Sequence, residues 1–250
     1  MKKIAALSFC CALLLGCKEE AKTLSADEIV NRSIEVSGGH ILDNATASFD
    51  FRGKHYTATR NNGQYILDRF AVDSLKAVCD QLSNRGFTRF IDAQQTLLPD
   101  SLATRYGNAV NSVHYFAYLP YGLNAAAAKK QLMGEKMVKG KDHYVIQVTF
   151  DQEGGGTDFE DVFLYWVDKE TFKVNYLAYE YHVNGGGKRF REAYNERIEN
   201  GVRFVDYKNF KSEDKSIPLA QLDSLFGADQ LELLSKIELE NIAVDICKSC

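Results

Sequence analysis

Residues 183–198 read VNGGGKRFREAYNERI, and the conformation of this stretch decides the fold. Three glycines running into Lys188 either cradle a phosphate or only turn the chain. A phosphate loop needs a strand, then Gly-x-x-x-x-Gly-Lys-Ser/Thr, then a helix whose N-terminal N–H groups face the phosphate. No Ser or Thr follows Lys188, and the residues beyond it alternate as a strand does. Arg189, Arg191, Ala193, Asn195 and Arg197 fall on one face, and Phe190, Glu192, Tyr194, Glu196 and Ile198 on the other. The glycines therefore supply the positive-φ conformations of a hairpin turn. The earlier triplet, Gly154-Gly155-Gly156, reads the same way, and both loops would suit the mouth of a cavity.

Outward from this hairpin the alternation continues. GKDHYVIQVTFD (140–151) places Tyr144, Ile146, Val148 and Phe150 on one face, and GVRFVDYKNF (201–210) follows the turn at Asn200-Gly201. Evenly spaced strands without intervening helices predict an antiparallel meander over 131–246, broken by a short helix near 218–226. Residues 231–244 read as one last strand. Upstream, 45–95 read as hairpins turning at Asn61-Asn62-Gly63 and near Asn84 to Gly86. Ser25 and Glu28 form a capping box ahead of a helix that Gly38-Gly39 stop. Asp100 caps a second helix, 100–119, on which Leu102, Tyr106, Val110, Val113 and Ala117 keep helical spacing until Pro120. The segment after Pro120 reads as a turn and a further short helix. In VFLYWV (162–167), Phe163 and Tyr165 share one face, and Val162, Leu164 and Trp166 the other. A strand apolar on both faces is covered on both sides. The expected fold class is α+β: a curved antiparallel sheet, an incomplete β-barrel, with helices covering its concave face.

The first residues, MKKIAALSFCCALLLGCKEE, have two lysines, a short apolar run and Leu14-Leu15-Gly16-Cys17. The run is too short to span a bilayer, and the arrangement is that of a secretory signal. The expected organisation is a signal peptide at 1–16, an acylated Cys17 opening a tether at 17–25, one half-barrel domain at 26–246 and a tail at 247–250. Losing Lys2 and Lys3 with the signal takes the formal charge of −4 to −6, which excludes an electrostatic partnership with nucleic acid. Cys79, Cys247 and Cys250 remain, too few for a disulfide framework. Asp is absent after Cys17, which points to the outer membrane rather than inner-membrane retention, on its periplasmic or surface face.

Catalytic signatures are missing. The five histidines are scattered without metal-ligand spacing, no Gly-x-Ser-x-Gly elbow occurs, and neither a metal nor a cofactor is indicated. Two readings of Arg189 and Arg191 stand open: a solvated face with cross-strand ion pairs, or a grip on an anionic headgroup. His114 either faces a cavity or is a satisfied core histidine. If the second helix lies over the concave face, Val110, Val113 and Phe116 meet aromatics near Trp166 and Tyr179 and line a slot for an apolar ligand.

The order of lipobox, capped helix ending in Gly-Gly, and curved antiparallel strands resembles the lipoprotein-carrier superfamily of the LolA, LolB and LppX type. That resemblance implies an incomplete barrel whose concave face takes acyl chains. SFDFRGKHYTATRNNG, NSVHYFAYLPYGLN, QEGGGTDFEDVF and GGGKRFREAYNERIENGVRFVDYKNF are similar to an uncharacterised family of Gram-negative envelope lipoproteins. Members of that family sometimes bear the label deoxyribose-phosphate aldolase, which implies a (β/α)₈ barrel and a Schiff-base lysine. Successive strands without crossover helices are not such a barrel. The expected function is a membrane-anchored protein binding a lipid or other apolar molecule. The alternatives are an envelope interaction protein without ligand, whose partner the residues do not name, and, last, an aldolase or hydrolase.

Overall fold

The computed structural model describes residues 23–153, 160–182 and 185–247. The signal segment, Cys17, the Gly154–Gly156 loop and Cys250 lie outside them. Helix α1 (Ala26–Val36) begins at the predicted capping box: Ser25 Oγ accepts from the Glu28 N–H at 3.2 Å, and the Glu28 carboxylate accepts from the Ser25 N–H at 2.8 Å. A short helix α2 (Gly39–Leu42) follows directly.

The first sheet is then laid down as hairpins: β1 (Asn44–Phe51), β2 (Lys54–Asn61), β3 (Gln64–Asp73), β4 (Lys76–Ser83), β5 (Gly86–Ile91) and β6 (Gln94–Thr96). Helix α3 (Asp100–Ala117) crosses to the second sheet. Asp100 is its first residue and Pro99 its N-cap, so Asp100 serves the positive helix end by charge and not as a side-chain cap. The segment after α3 makes turns only, and β7 starts at Ala128. Strands β7 (Ala128–Val138), β8 (Lys141–Phe150), β9 (Val162–Asp168), β10 (Val174–Tyr181), β11 (Gly187–Glu199) and β12 (Val202–Lys211) run in succession, all neighbours antiparallel. Helix α4 (Leu222–Gly227) precedes β13 (Glu232–Ile237) and β14 (Glu240–Ile246). The sheet orders are β14-β1-β2-β3-β4-β5-β6 and β13-β12-β11-β10-β9-β8-β7, and the sheets stay open rather than closing into a barrel.

Two further expectations are corrected. The last strand is two strands in different sheets: β13 pairs with β12, and β14 with β1. At the break, the Leu239 N–H donates to Asp206 Oδ1 at 2.9 Å. That buried carboxylate also receives both Arg197 Nη groups at 2.7 Å and Asn195 Nδ2 at 2.6 Å. Second, β11 does not alternate to its end. Asn195 takes φ 50°, and the register shifts between Tyr194 and Arg197. A bulge of this kind turns every later side chain over, so Arg197 leaves the face of Arg191 and stands opposite Phe204. The helices cover the concave face as expected, and one more lies outside it. On the inner face of the second sheet, Ile29 and Val30 of α1 pack with Tyr115 and Phe116 of α3 on Tyr165, Leu177 and Tyr207. On the first sheet, Leu42 of α2 and Val110 of α3 pack on Ala47, Phe49 and Tyr56. Helix α4 covers the outer face, where Leu222 and Phe226 seal Leu164, Trp166 and Phe190.

The α1–α2 corner is pinned to the start of β12. The Arg203 N–H donates to Ser37 O at 3.0 Å, and Gly38, at φ 72°, lies so close that a Cβ there would stand 2.0 Å from Gly201 O. Gly38→Ala is therefore expected to cost about 3 kcal/mol or more in urea unfolding, from the left-handed backbone plus a clash with main chain. Gly63→Ala, at φ 79° with nothing nearby, is expected to cost only about 1 kcal/mol. Equal losses would contradict the packing of this corner.

Candidate functional site

Helix α3 stands between the two sheets and shows each a different face. Val110, Val113, His114 and Ala117 turn to the first sheet, and Tyr115 and Phe116 to the second. Asn108, Asn111 and Ser112 border a cleft of about 770 Å³, within the size range of small-molecule sites. The second sheet contributes Phe150, Phe163, Tyr179, Tyr181, Arg189 and Arg191 to its walls. The first contributes Arg60, Tyr65 and Leu67, and Tyr118 and Tyr121 close it behind α3.

Strand alternation builds the aromatic wall. Phe163 of β9 is directly opposite Tyr179 of β10, and Tyr179 is opposite Arg189 of β11. Ring centroids lie 5.6 Å apart for Phe163 and Tyr179, 5.5 Å for Phe116 and Tyr179, and 5.9 Å for Phe150 and Phe163. These are ordinary aromatic packing distances. Tyr115 and Tyr165 join their hydroxyls at 2.5 Å beneath this wall.

Five of the residues expected at the site, His114, Phe116, Tyr179, Arg189 and Arg191, line the cleft together. Three do not. Val110 and Val113 pack toward the first sheet. Trp166 is opposite Tyr176, on the face away from Tyr179. Its indole N–H donates to Asp223 of α4 at 3.3 Å, and it is 0% exposed. The reason is the two-residue period itself: odd positions 163, 165 and 179 face inward, so 166 faces outward. Arg60 was missed, although Tyr56, Ala58 and Arg60 alternate on one strand face. An arginine on an inward-facing row was the available signal.

The cleft is electrostatically uneven. The arginines held in ion pairs among the described residues are Arg69, Arg89, Arg197 and Arg203, and none of these lines the cleft. Arg60 lies 4.8 Å from the ring centroids of both Tyr118 and Tyr121, with Nη1 buried and without a hydrogen-bond partner. Arg191 is 7% exposed, and burial lowers its pKa below the ordinary guanidinium value. Of the cleft carboxylates, Asp43 accepts from the Tyr121 hydroxyl at 2.9 Å, and Asp161 stands 3.5 Å from His182 Nδ1. Among the described residues no group of three His, Cys, Asp or Glu could hold a metal ion. Cys79 is free, with its thiol pushed up to about 12 by burial and by Asp68.

His114 bonds to Asp68 O through Nε2 at 3.1 Å, while its buried Nδ1 has no partner. Burial brings its pKa from 6.5 to about 4. The unfolded chain therefore binds this proton at higher pH than the folded chain. The group's contribution to stability is complete above about pH 6.5 and is lost as pH falls toward 4, roughly 3 kcal/mol over the window. His143, also lowered by burial, acts in the same direction. Between pH 7 and about pH 4.5, the wild type is expected to lose about 2 kcal/mol more unfolding free energy than His114→Gln, whose amide keeps the bond to Asp68 O. Equal losses would show that the imidazole is not held neutral.

The architecture is similar to that of a LolA superfamily protein from Nitrosomonas europaea: TM-score 0.52 at 12% identity, covering 91% of this chain and 96% of that one. A DUF1329 family protein from Desulfovibrio piger gives 0.45 at 11% identity over 91% and 96%. The first likeness shows the fold, that of the LolA superfamily structure, and at such identity nothing finer. No curated protein matches the sequence. A family model matches residues 2–239, nearly the whole chain, and the chain belongs to the family of unknown function DUF6503.

Proposed function

We propose that this protein is an envelope lipoprotein that holds the apolar part of a lipid in the cleft beside α3. The observation that carries the reading is the cleft itself: about 770 Å³, walled by Phe116, Phe150, Phe163 and Tyr179, on the helix-covered inner face of a LolA-like half-barrel. Buried apolar area supplies the affinity, about 25 cal/mol per Å² removed from water. Cys17 would carry the acyl anchor, and the single domain at 26–246 would sit at the outer membrane. No described helix is long and apolar enough to cross a membrane, so attachment in this reading rests on the anchor. Phe116, Tyr179, His114, Arg189 and Arg191 would contact the ligand. Trp166 would not, and its emission is expected to stay constant on loading.

A second reading, an interaction protein, is favoured by the β3–β4 hairpin tip, where Val72 and Leu75 are 78% and 98% exposed.

N-phenyl-1-naphthylamine, a neutral apolar dye, tests the cleft. Its fluorescence is expected to rise on binding the wild-type protein. Binding should weaken at least about tenfold, or 1.4 kcal/mol, in Ser112→Trp, which fills the cleft from an exposed position of α3. A dye that ignores the wild type, together with native mass spectra free of lipid, would favour the interaction reading.

Metabolic labelling with an alkyne fatty acid tests the anchor. The wild type is expected to incorporate the label and Cys17→Ser to lose it. Equal labelling of the two would refute acylation at Cys17.

A further inference from the structure

The second sheet holds two buried arginines on neighbouring strands, and the chain treats them differently. Arg203, 5% exposed, donates through Nε to Glu196 at 2.6 Å and through Nη2 to Val174 O at 3.3 Å. Arg191, 7% exposed, pairs with no carboxylate among the described residues. Its Nη2 donates to the Tyr179 hydroxyl at 2.8 Å, its Cζ lies 4.0 Å from the Phe116 ring centroid, and its Nε is buried without a partner. Removing a charge from water without an opposite charge is costly, and folded chains ordinarily avoid it. The aromatic contacts recover only part of that cost. Arg189, two residues along and on the same face, repeats the pattern: one donor goes to the Tyr181 hydroxyl and one to Lys188 O, each at 2.8 Å, with no carboxylate partner among the described residues. Each arginine is thus steadied by a tyrosine of β10, and both border the cleft. Two guanidinium forks in a row suit a flat or tetrahedral oxyanion.

We propose that β11 carries an anion site in which Arg191 and Arg189 receive the carboxylate or phosphate of an amphiphile, while Phe116 and Phe163 hold the start of its chain. The proposal rests on the reading of the cleft as a lipid site and narrows it to acidic lipids.

Calorimetric titration with dodecanoate, dodecyl phosphate and dodecanol, below their aggregation limits, separates charge from chain. The wild-type protein is expected to bind at least one of the two anions about tenfold or more tightly than the alcohol. Preference for the carboxylate assigns a free acid, and preference for the phosphate assigns a phosphate headgroup. In Arg191→Met the advantage of the anion is expected to vanish while dodecanol binding persists, and Arg189→Gln is expected to reduce it in part. Equal wild-type affinity for all three would overturn the anion site and leave the apolar cleft standing. Binding of none would overturn the cleft reading and this site with it. An anion advantage that survives both substitutions would also overturn the assignment.

Discussion

Four N–H groups converge on the carboxylate of Asp206, and they come from two places in the chain. Arg197 and Asn195 belong to the bulged end of β11, Asp206 itself to β12, and Leu239 to the point where the chain leaves one sheet for the other. The carboxylate is 2% exposed. Burial raises its pKa, but the Arg197 fork, the Leu239 N–H and Asn195 lower it further, and the group stays ionised. A buried pair of this kind adds little against an apolar substitute, yet removing one partner strands the other at about 3–5 kcal/mol. Its effect is to fix direction. It stops β13 after Ile237 and sends β14 to β1, so the second sheet is tied to the first at one seam and the cleft has two walls.

Much of this architecture could be read in the sequence, for local reasons. The capping box at Ser25 is a pair of short-range bonds. The turn at Asn200-Gly201 sets both residues at positive φ, 45° and 85°, which this pair adopts readily. Alternation in VFLYWV gave both faces of β9 correctly, because one face meets α1 and α3 and the other meets α4. What could not be read depends on distant partners. Nothing local in 231–244 marks the change of sheet, since the break answers to Asp206 more than thirty residues earlier. The β11 bulge answers to the same group.

The candidate site divides in the same way. Phe116, Tyr179, Arg189 and Arg191 were legible because each falls on an inward-facing row of its own element. Trp166 lies outside the cleft because its position in the alternation, and not its aromatic ring, decides which face it meets. Its ring serves α4 instead, with Phe190 at 5.4 Å. Val110 and Val113 were misplaced because a helix between two sheets has two buried faces, and periodicity alone does not say which sheet each one meets.

That position of α3 has a consequence for exchange kinetics. A surface lid has one buried side and swings away at modest cost, but α3 is held on both. Its Val110, Val113 and Ala117 belong to one core, and its Tyr115 and Phe116 to the other. Each large apolar side chain contributes about 1.5–3 kcal/mol on burial, so lifting the helix out would cost on the order of ten kcal/mol, comparable to the stability of a whole domain. A ligand of the proposed kind would therefore enter and leave past a fixed helix, through side-chain rotation at the mouth. Its residence time would be set by how far it must slide along the aromatic wall, and not by the opening of a door.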